Sequence, residues 1–248
     1  MLQVQKWRIE LQGHSFDLED LPLWMSGEEY QVVREEDSFY LDIPAASLGP
    51  APEPILPFAQ DLIEQVNGIG SLLNPSFRLL TVVNKVLGLN AEGQVISTSI
   101  QVGGAELRVK AGMPGMAVNG VVQPDPRLGS ASPLLRAARE YSRAKDALVI
   151  LSRPSLTWSE LYLLFELVEG DVGGKMFDLG WVAKGDADRF TRTANSYSAL
   201  GSDGRHGKDR GQPPPIPMPK QYASGLVKTL VLAWLKHLGA SESPPNDG

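Results

Sequence analysis

The spacing of apolar residues changes once along this chain, and that change limits the fold more than any other feature. Up to about residue 112, β-branched and aromatic residues stand in short runs with a period near two, which is typical of strands. Beyond residue 133 the period becomes 3.6, as on the apolar face of a helix. The sequence therefore predicts an α+β fold, in which a small domain of strands and one helix precedes a bundle of four to five helices.

Proline and glycine separate the segments of this pattern. The α+β domain is expected over residues 1–112, with its helix directly after the proline-rich stretch 44–54. Residues 113–133 are interrupted repeatedly by Pro and Gly, which indicates a linker. The helical domain is expected over 134–240, and the polar residues 241–248 predict a disordered tail.

Apolar spacing places four helices in the second half. One is expected over 134–151, and another begins after Thr157, which is followed three residues later by the Glu of a capping box. A third helix is expected around 187–200. The last is expected over 220–239, with Gly239 as its C-cap.

Three tryptophans lie in this helical half. Trp158 and Trp234 stand beside leucines at helical spacing, which favours a position in the core. Trp181 lies in the loop FDLGWVAKGD, where the sequence leaves its role open.

Composition excludes several classes of chemistry. The chain has no cysteine, and its histidines are His14, His206 and His237. Disulfides, a thiol nucleophile and a thiolate metal site are therefore excluded, and we expect neither a metal nor a cofactor. No run approaches the roughly eighteen apolar residues that cross a bilayer, and the N-terminus lacks the apolar core of a secretory signal. We expect a cytoplasmic protein that does not bind membranes.

The net charge of −6 hides a local excess of positive charge. Residues 134–153 carry five basic and two acidic side chains. Within that range Arg136, Arg139 and Arg143 are candidate nucleic-acid contacts. A helix also commonly exposes Lys and Arg to solvent without binding anything, so the spacing leaves both interpretations open.

The densest polar segment is 189–217, which lies between an amphipathic stretch and a run of prolines. Its candidate site residues are Asn195, Arg205, His206, Lys208 and Arg210. Neighbouring cations should keep the histidine neutral, able to accept a proton beside a bound phosphate. The segment is therefore either a phosphodiester contact site or a solvent-exposed loop in which the glycines allow repeated turns.

Familiar catalytic motifs are missing. The glycines at 102–104 and 171–175 do not follow the G-x-G-x-x-G or G-x-x-x-x-G-K patterns that cradle phosphates. No G-x-S-x-G sequence marks a hydrolase nucleophile. The acidic residues 35–37 lie between two runs typical of strands and predict a hairpin turn rather than a cation site.

Four segments of the second half carry a family resemblance. They are the basic helix 134–151, TWSELYLLFELVEGDVG, RFTRTANSYSALGSDGRHG and a closing helix after PIPMP. Over about residues 130–240 the chain resembles the helical domains of the HEPN superfamily, which occur in bacterial defence and toxin–antitoxin systems and include metal-independent ribonucleases. The resemblance implies a homodimer of helical bundles in which an Arg and a His at a shared cleft cleave RNA through its 2′-hydroxyl.

Two functions are expected from these observations. The first is an intracellular binding or interaction protein that contacts RNA or a protein partner in a defence-type system. The alternative is a metal-independent endoribonuclease in which His206 is the general acid or base, Arg205 stabilises the phosphate and Asn195 orients one of them. Active members of the superfamily carry an Arg, then four to six residues, then the His on one helix, whereas Arg205 and His206 are adjacent in a glycine-rich loop. This difference favours the binding protein.

Overall fold

The computed structural model describes residues 3–100 and 127–240. Contacts divide the chain into two compact units, Met1–Ser132 and Pro133–Gly248. The sheet belongs to the first unit, and the described part of the second unit is helical, so the predicted α+β class is confirmed. None of the helices in the described ranges is long and apolar enough to cross a membrane.

The described part of the first unit contains a five-stranded antiparallel sheet with the order β2-β3-β1-β4-β5. Because β3 lies between β1 and β2, and α1 connects those two, the first strands form a split β-α-β arrangement. The strands are β1 (Lys6–Gln12), β2 (Gln31–Glu35), β3 (Ser38–Pro44), β4 (Thr81–Leu89) and β5 (Val95–Ile100), and the helices are α1 (Ser15–Trp24), α2 (Ala45–Leu48) and α3 (Ile55–Leu73). The helix predicted after the proline-rich stretch is α3.

Alternation along the strands gives this sheet two different faces. On one face the side chains of Trp7, Ile9 and Leu11 of β1 are buried, and α3 packs against β1 and β4. On the other face the guanidinium of Arg8 donates from Nε and Nη2 to the carboxylate of Asp42 on β3, at 2.7 and 2.9 Å. Hydrophobic burial thus fixes one face, and ion pairs connect strands on the other.

A tight turn joins β2 to β3. Glu35 pairs with Ser38 across it, and Glu36 has a φ of 53°, in the left-handed region. The hairpin turn predicted from the acidic residues 35–37 is therefore confirmed.

Residues 127–132 belong to the first unit, although they lie within the predicted linker. Arg127 forms an ion pair with Asp20, and the amide N–H of Gly129 donates to the carbonyl of Leu23 at 2.7 Å. The rest of the predicted linker, the last residues of the predicted α+β domain and the tail 241–248 lie outside the described residues.

The described part of the second unit contains five helices of nine residues or more and two single turns. They are α4 (Ser132–Glu140), α5 (Ser142–Leu151), α6 (Trp158–Val172), α7 (Lys175–Asp178), α8 (Lys184–Ala194), α9 (Tyr197–Leu200) and α10 (Lys220–Ala240), with α4 beginning one residue before the boundary. Trp158 and Trp234 are buried as predicted, and the ring of Phe190 lies 5.5 Å from that of Phe165 in the same core. α6 begins with the predicted capping box at Thr157.

The prediction of one helix over 134–151 is wrong. Tyr141 has an extended backbone, with φ of −125° and ψ of 115°, and separates α4 from α5. Its carbonyl accepts the amide N–H groups of Ala144 and Lys145, so Tyr141 serves as the N-cap of α5. The apolar spacing hides this break, because Ala137, Ala144 and Leu148 stay on one 3.6-residue repeat across it.

Two other helix ends differ from the prediction. The helix expected around 187–200 ends at Ala194, because Ser196 caps the separate turn α9 by accepting the N–H of Ala199 at 3.2 Å. Gly239 is not a C-cap, since α10 continues to Ala240. A Cβ atom on Gly239 would lie 2.0 Å from the carbonyl oxygen of Pro133, so this glycine permits close packing instead.

Candidate functional site

The polar segment that the sequence singled out is fixed on the C-terminal end of α8. We name residues 205–210 the basic loop. The amide N–H of Arg205 donates to the carbonyl of Ala194 at 3.1 Å, and that of Arg210 donates to the carbonyl of Asn195 at 3.2 Å. These carbonyls have no partner within the helix, so the basic loop completes the hydrogen bonding of the helix end.

Asp209 anchors the basic loop from within. Its Oδ1 atom accepts the hydroxyl of Ser196 at 2.8 Å and the amide N–H of Ser198 at 2.9 Å. The amide N–H of Ser198 and then the hydroxyl of Ser196 lower the pKa of the Asp209 carboxyl. The loop therefore has a defined conformation built from local hydrogen bonds.

Two arginines of α8 hold the proline run that follows. Arg189 donates from Nε to the carbonyl of Ile216 at 2.9 Å and from Nη2 to that of Pro217 at 3.1 Å. Arg192 donates in the same way, from Nε to the carbonyl of Gln212 at 3.0 Å and from Nη2 to that of Pro213 at 2.9 Å. A run of prolines cannot join a helix or a strand ladder, so the carbonyls of this segment obtain donors from these side chains. These two cations are therefore structural.

Arg205 reaches from the basic loop onto α6. Its Nη1 and Nη2 atoms donate to the two carboxylate oxygens of Glu166, each at 3.3 Å. Its Cζ atom lies 4.1 Å from the ring centroid of Tyr162, which places the guanidinium over the aromatic face. The Arg205 side chain is 31% exposed, so it is positioned by α6 and still accessible.

A second arginine reaches the same side of α6. Arg143, near the start of α5, donates from Nη1 to the carbonyl of Gly170 at 3.3 Å. Tyr162, Glu166 and Gly170 are spaced four residues apart and therefore lie along one side of the helix, about 6 Å apart per step. We name this side, together with Arg143 and Arg205, the α6 stripe.

His206 follows Arg205 and lies at the edge of the α6 stripe. Partial burial, and then the charges of Arg210 and Arg205, lower its pKa, while Glu166 opposes this shift. The sequence predicted this direction from the neighbouring cations. Neutral His206 can donate or accept one hydrogen bond beside two guanidinium groups, an arrangement suited to a phosphate oxygen.

Asn195 is not placed to orient either partner through its acceptor. It follows α8 directly, and its backbone carbonyl receives the amide of Arg210. Its side-chain Oδ1 atom is buried and accepts no hydrogen bond within the described residues. Asn195 therefore supports the basic loop through its backbone.

The remaining predicted residues lie on exposed surface. Lys208 and Arg210 are exposed in the basic loop, and Arg136 and Arg139 are exposed on α4. Of the three basic residues predicted on 134–151, Arg143 is the one whose contact with Gly170 places it on the α6 stripe.

Sequence reasoning missed the residues that position this site. They are Tyr162, Glu166, Arg189, Arg192, Ser198 and Asp209. One signal was present: a run of prolines cannot join a helix or a strand ladder, so its carbonyls need side-chain donors such as Arg or Lys. The Tyr162 and Glu166 contacts depend on tertiary structure, and no local pattern marks them.

No group of three His, Asp or Glu side chains capable of holding a metal ion occurs within residues 3–100 and 127–240. Comparison of the chain with known proteins matches no family model, no curated protein and no solved structure.

Proposed function

We propose that the helical unit is a binding module for single-stranded RNA that does not cleave its ligand. We also propose that the chain works in a defence-type system, which is the setting that the HEPN resemblance implies. The observation that carries this proposal is the α6 stripe. There Arg205 and Arg143, from separate parts of the chain, are positioned by contacts with one side of one helix.

The geometry of Arg205 favours a single-stranded ligand. Unstacked bases of RNA commonly stack on Arg guanidinium planes as well as on aromatic rings. The Arg205 guanidinium lies over Tyr162 and keeps an exposed portion, so a base can continue the stack. Arg143, His206 and the exposed Arg210 then supply phosphate contacts near that stack.

The test is an RNA-binding titration followed by fluorescence anisotropy. The double variant Arg143→Gln and Arg210→Gln should lower the affinity for single-stranded RNA about tenfold or more, because two phosphate contacts are lost. The variant Lys175→Gln with Lys184→Gln removes the same charge from exposed positions outside the stripe and should keep the wild-type affinity. Equal losses in both double variants would refute a localised site.

The alternative function is metal-independent cleavage of RNA. The lowered pKa of His206 favours it, since a neutral imidazole can act as general base near physiological pH. In EDTA, wild-type protein should then cleave RNA, and His206→Ala should lose about 10²-fold or more of the rate. Absence of cleavage, or equal cleavage by both proteins, excludes this alternative and leaves binding.

Assembly as a homodimer and a cytoplasmic location belong to the same proposal. One chain has a mass of 26.9 kDa. Light scattering on the purified protein should give about twice that mass. A monomeric mass at micromolar concentration contradicts the dimer and leaves the RNA proposal intact.

A further inference from the structure

The helical unit contains a cleft that lies outside the contacts of the α6 stripe. It has a volume of about 640 Å³ and lies between the segment Gly180–Ala183 and the first turns of α10. Small-molecule sites usually measure about 300 to 1,000 Å³, so this cleft is large enough to hold a whole small ligand.

Two aromatic side chains form part of its lining. Trp181 is half-buried, and its ring lies 5.3 Å from the ring of His237 on α10 in an edge-to-face arrangement. Its amide N–H donates to the carbonyl of the buried Met176 at 3.0 Å, so its backbone is held in place as well. Tyr222, on α10, is 54% exposed and also lines the cleft. Together they offer large apolar surfaces with electron-rich faces.

One carboxylate gives the lining its charge. Among the described residues that line the cleft, Asp186 in the first turn of α8 is the charged one, and it forms no ion pair in the described part of the chain. The uncharged lining side chains include Leu226, Gln221 and Thr229. A single negative charge among aromatic and apolar groups complements a single positive charge on an apolar ligand.

A glycine keeps the cleft open. Gly225 lies inside α10, where glycine costs about 1 kcal/mol relative to alanine. A Cβ atom added there would meet no other atom within 4 Å, so packing does not require glycine at this position. Gly239 in the same helix differs, because Pro133 leaves no room for its side chain. A glycine that weakens the helix without a packing reason is expected where a ligand must enter.

From these observations we propose that this cleft binds a small organic cation, an ammonium group attached to an aromatic ring. The ammonium lies against Asp186, and the ring packs on Trp181 and Tyr222. This site is independent of the RNA proposal and uses none of its residues.

Calorimetric titration with phenethylammonium and with its neutral analogue 2-phenylethanol tests the site. The full-length chain should bind the cation at least about tenfold more tightly than the alcohol, because both compounds pack a ring on the aromatic side chains and only the cation gains the contact with the Asp186 carboxylate. Nα-acetyl-lysine amide presents the same charge without the ring and should bind more weakly than phenethylammonium. Tighter binding of that lysine compound would show that the ring does not contribute to binding, and would contradict the proposed ligand.

Three variants locate the binding. Asp186→Asn should reduce affinity for phenethylammonium to that for the alcohol, whereas Asp188→Asn, an exposed carboxylate on the same helix outside the lining, should leave it unchanged. Gly225→Leu should fill the cleft and abolish binding of both compounds while its thermal unfolding confirms a folded protein. The proposal fails if neither probe binds at millimolar concentration, if Asp186→Asn binds like wild type, or if folded Gly225→Leu still binds.

Discussion

Asp42 and Arg8 are two opposite charges that the sheet places beside each other with little access to water. Asp42 is 5% exposed and Arg8 is 8% exposed, and Asp42 also receives Lys6 at 2.7 Å. Their attraction offsets the cost of removing both charges from solvent only while the pair is complete.

Breaking this pair should therefore be costly. We expect Asp42→Asn to lower the free energy of unfolding by about 3 kcal/mol, because Arg8 loses its main partner. Glu35→Gln, at the other carboxylate that contacts Arg8, should cost less than about 1 kcal/mol, since Glu35 is 57% exposed. Urea denaturation of both variants measures the difference, and equal losses would contradict it.

Glu160 makes the stability of the helical unit depend on pH. The amide N–H of Thr157 and then the side chain of Arg153 lower its pKa from about 4.5 to about 2. Because the folded protein holds the ionised form, this carboxylate stabilises the fold fully above about pH 4.5. That stabilisation is lost progressively as the pH falls toward 2.

The expected result is a difference between wild type and Glu160→Gln that depends on pH. At pH 7 the variant should be less stable by about 1 kcal/mol, as for the loss of other helix caps. Between pH 5 and 2 the two stability curves should converge. Chemical denaturation across this range provides the measurement, and a constant difference down to pH 2 would show that the charge of Glu160 does not stabilise the helix start.

Within the helix α10, substitution of its two glycines by alanine should change the stability in opposite directions. Gly225→Ala should raise the stability by about 1 kcal/mol, because alanine favours the helix and meets no neighbour. Gly239→Ala should lower it by about 1 to 3 kcal/mol, because its Cβ atom collides with the carbonyl of Pro133. Thermal unfolding of the two variants gives the comparison. Shifts of the same sign would contradict the packing described for α10.

Helices with a long buried face were predictable from the sequence, and interruptions of a helix were not. α3 and α6 begin where the sequence predicted, and α10 begins and ends close to its predicted bounds, because many apolar residues share one repeat. The break at Tyr141 changes the backbone conformation of one residue and leaves the apolar repeat intact, so periodicity does not reveal it. The end of α8 depends on Ser196 as a cap for the next turn, which competes with helix continuation.

The candidate site was predictable only in part for a similar reason. The cluster of Arg205, His206 and Arg210 is contiguous in the chain, so composition alone identified it. Its attachment to Tyr162 and Glu166 joins residues about forty positions apart, and such contacts arise from packing rather than from local pattern. Asn195 had a suitable residue type, yet its backbone rather than its side chain supports the loop.

For the whole molecule, the distribution of charge matters more than the net charge. The chain carries −6 in total, and an acidic protein is on average repelled by RNA. The α6 stripe and the basic loop counter this locally, because together they contain four basic side chains (Arg143, Arg205, Lys208 and Arg210) and two carboxylates (Glu166 and Asp209). Binding to RNA should therefore be local and strongly dependent on salt.

The dependence of RNA affinity on salt concentration tests the central claim most directly. The logarithm of the association constant for single-stranded RNA should fall linearly with the logarithm of the KCl concentration. In the double variant Arg143→Gln and Arg210→Gln the slope should be smaller by about 1.4, the value for two lost phosphate contacts. The double variant Lys175→Gln and Lys184→Gln should keep the wild-type slope. Parallel lines for wild type and the arginine variant, or no binding at low salt, would contradict an RNA site formed by the α6 stripe and the basic loop.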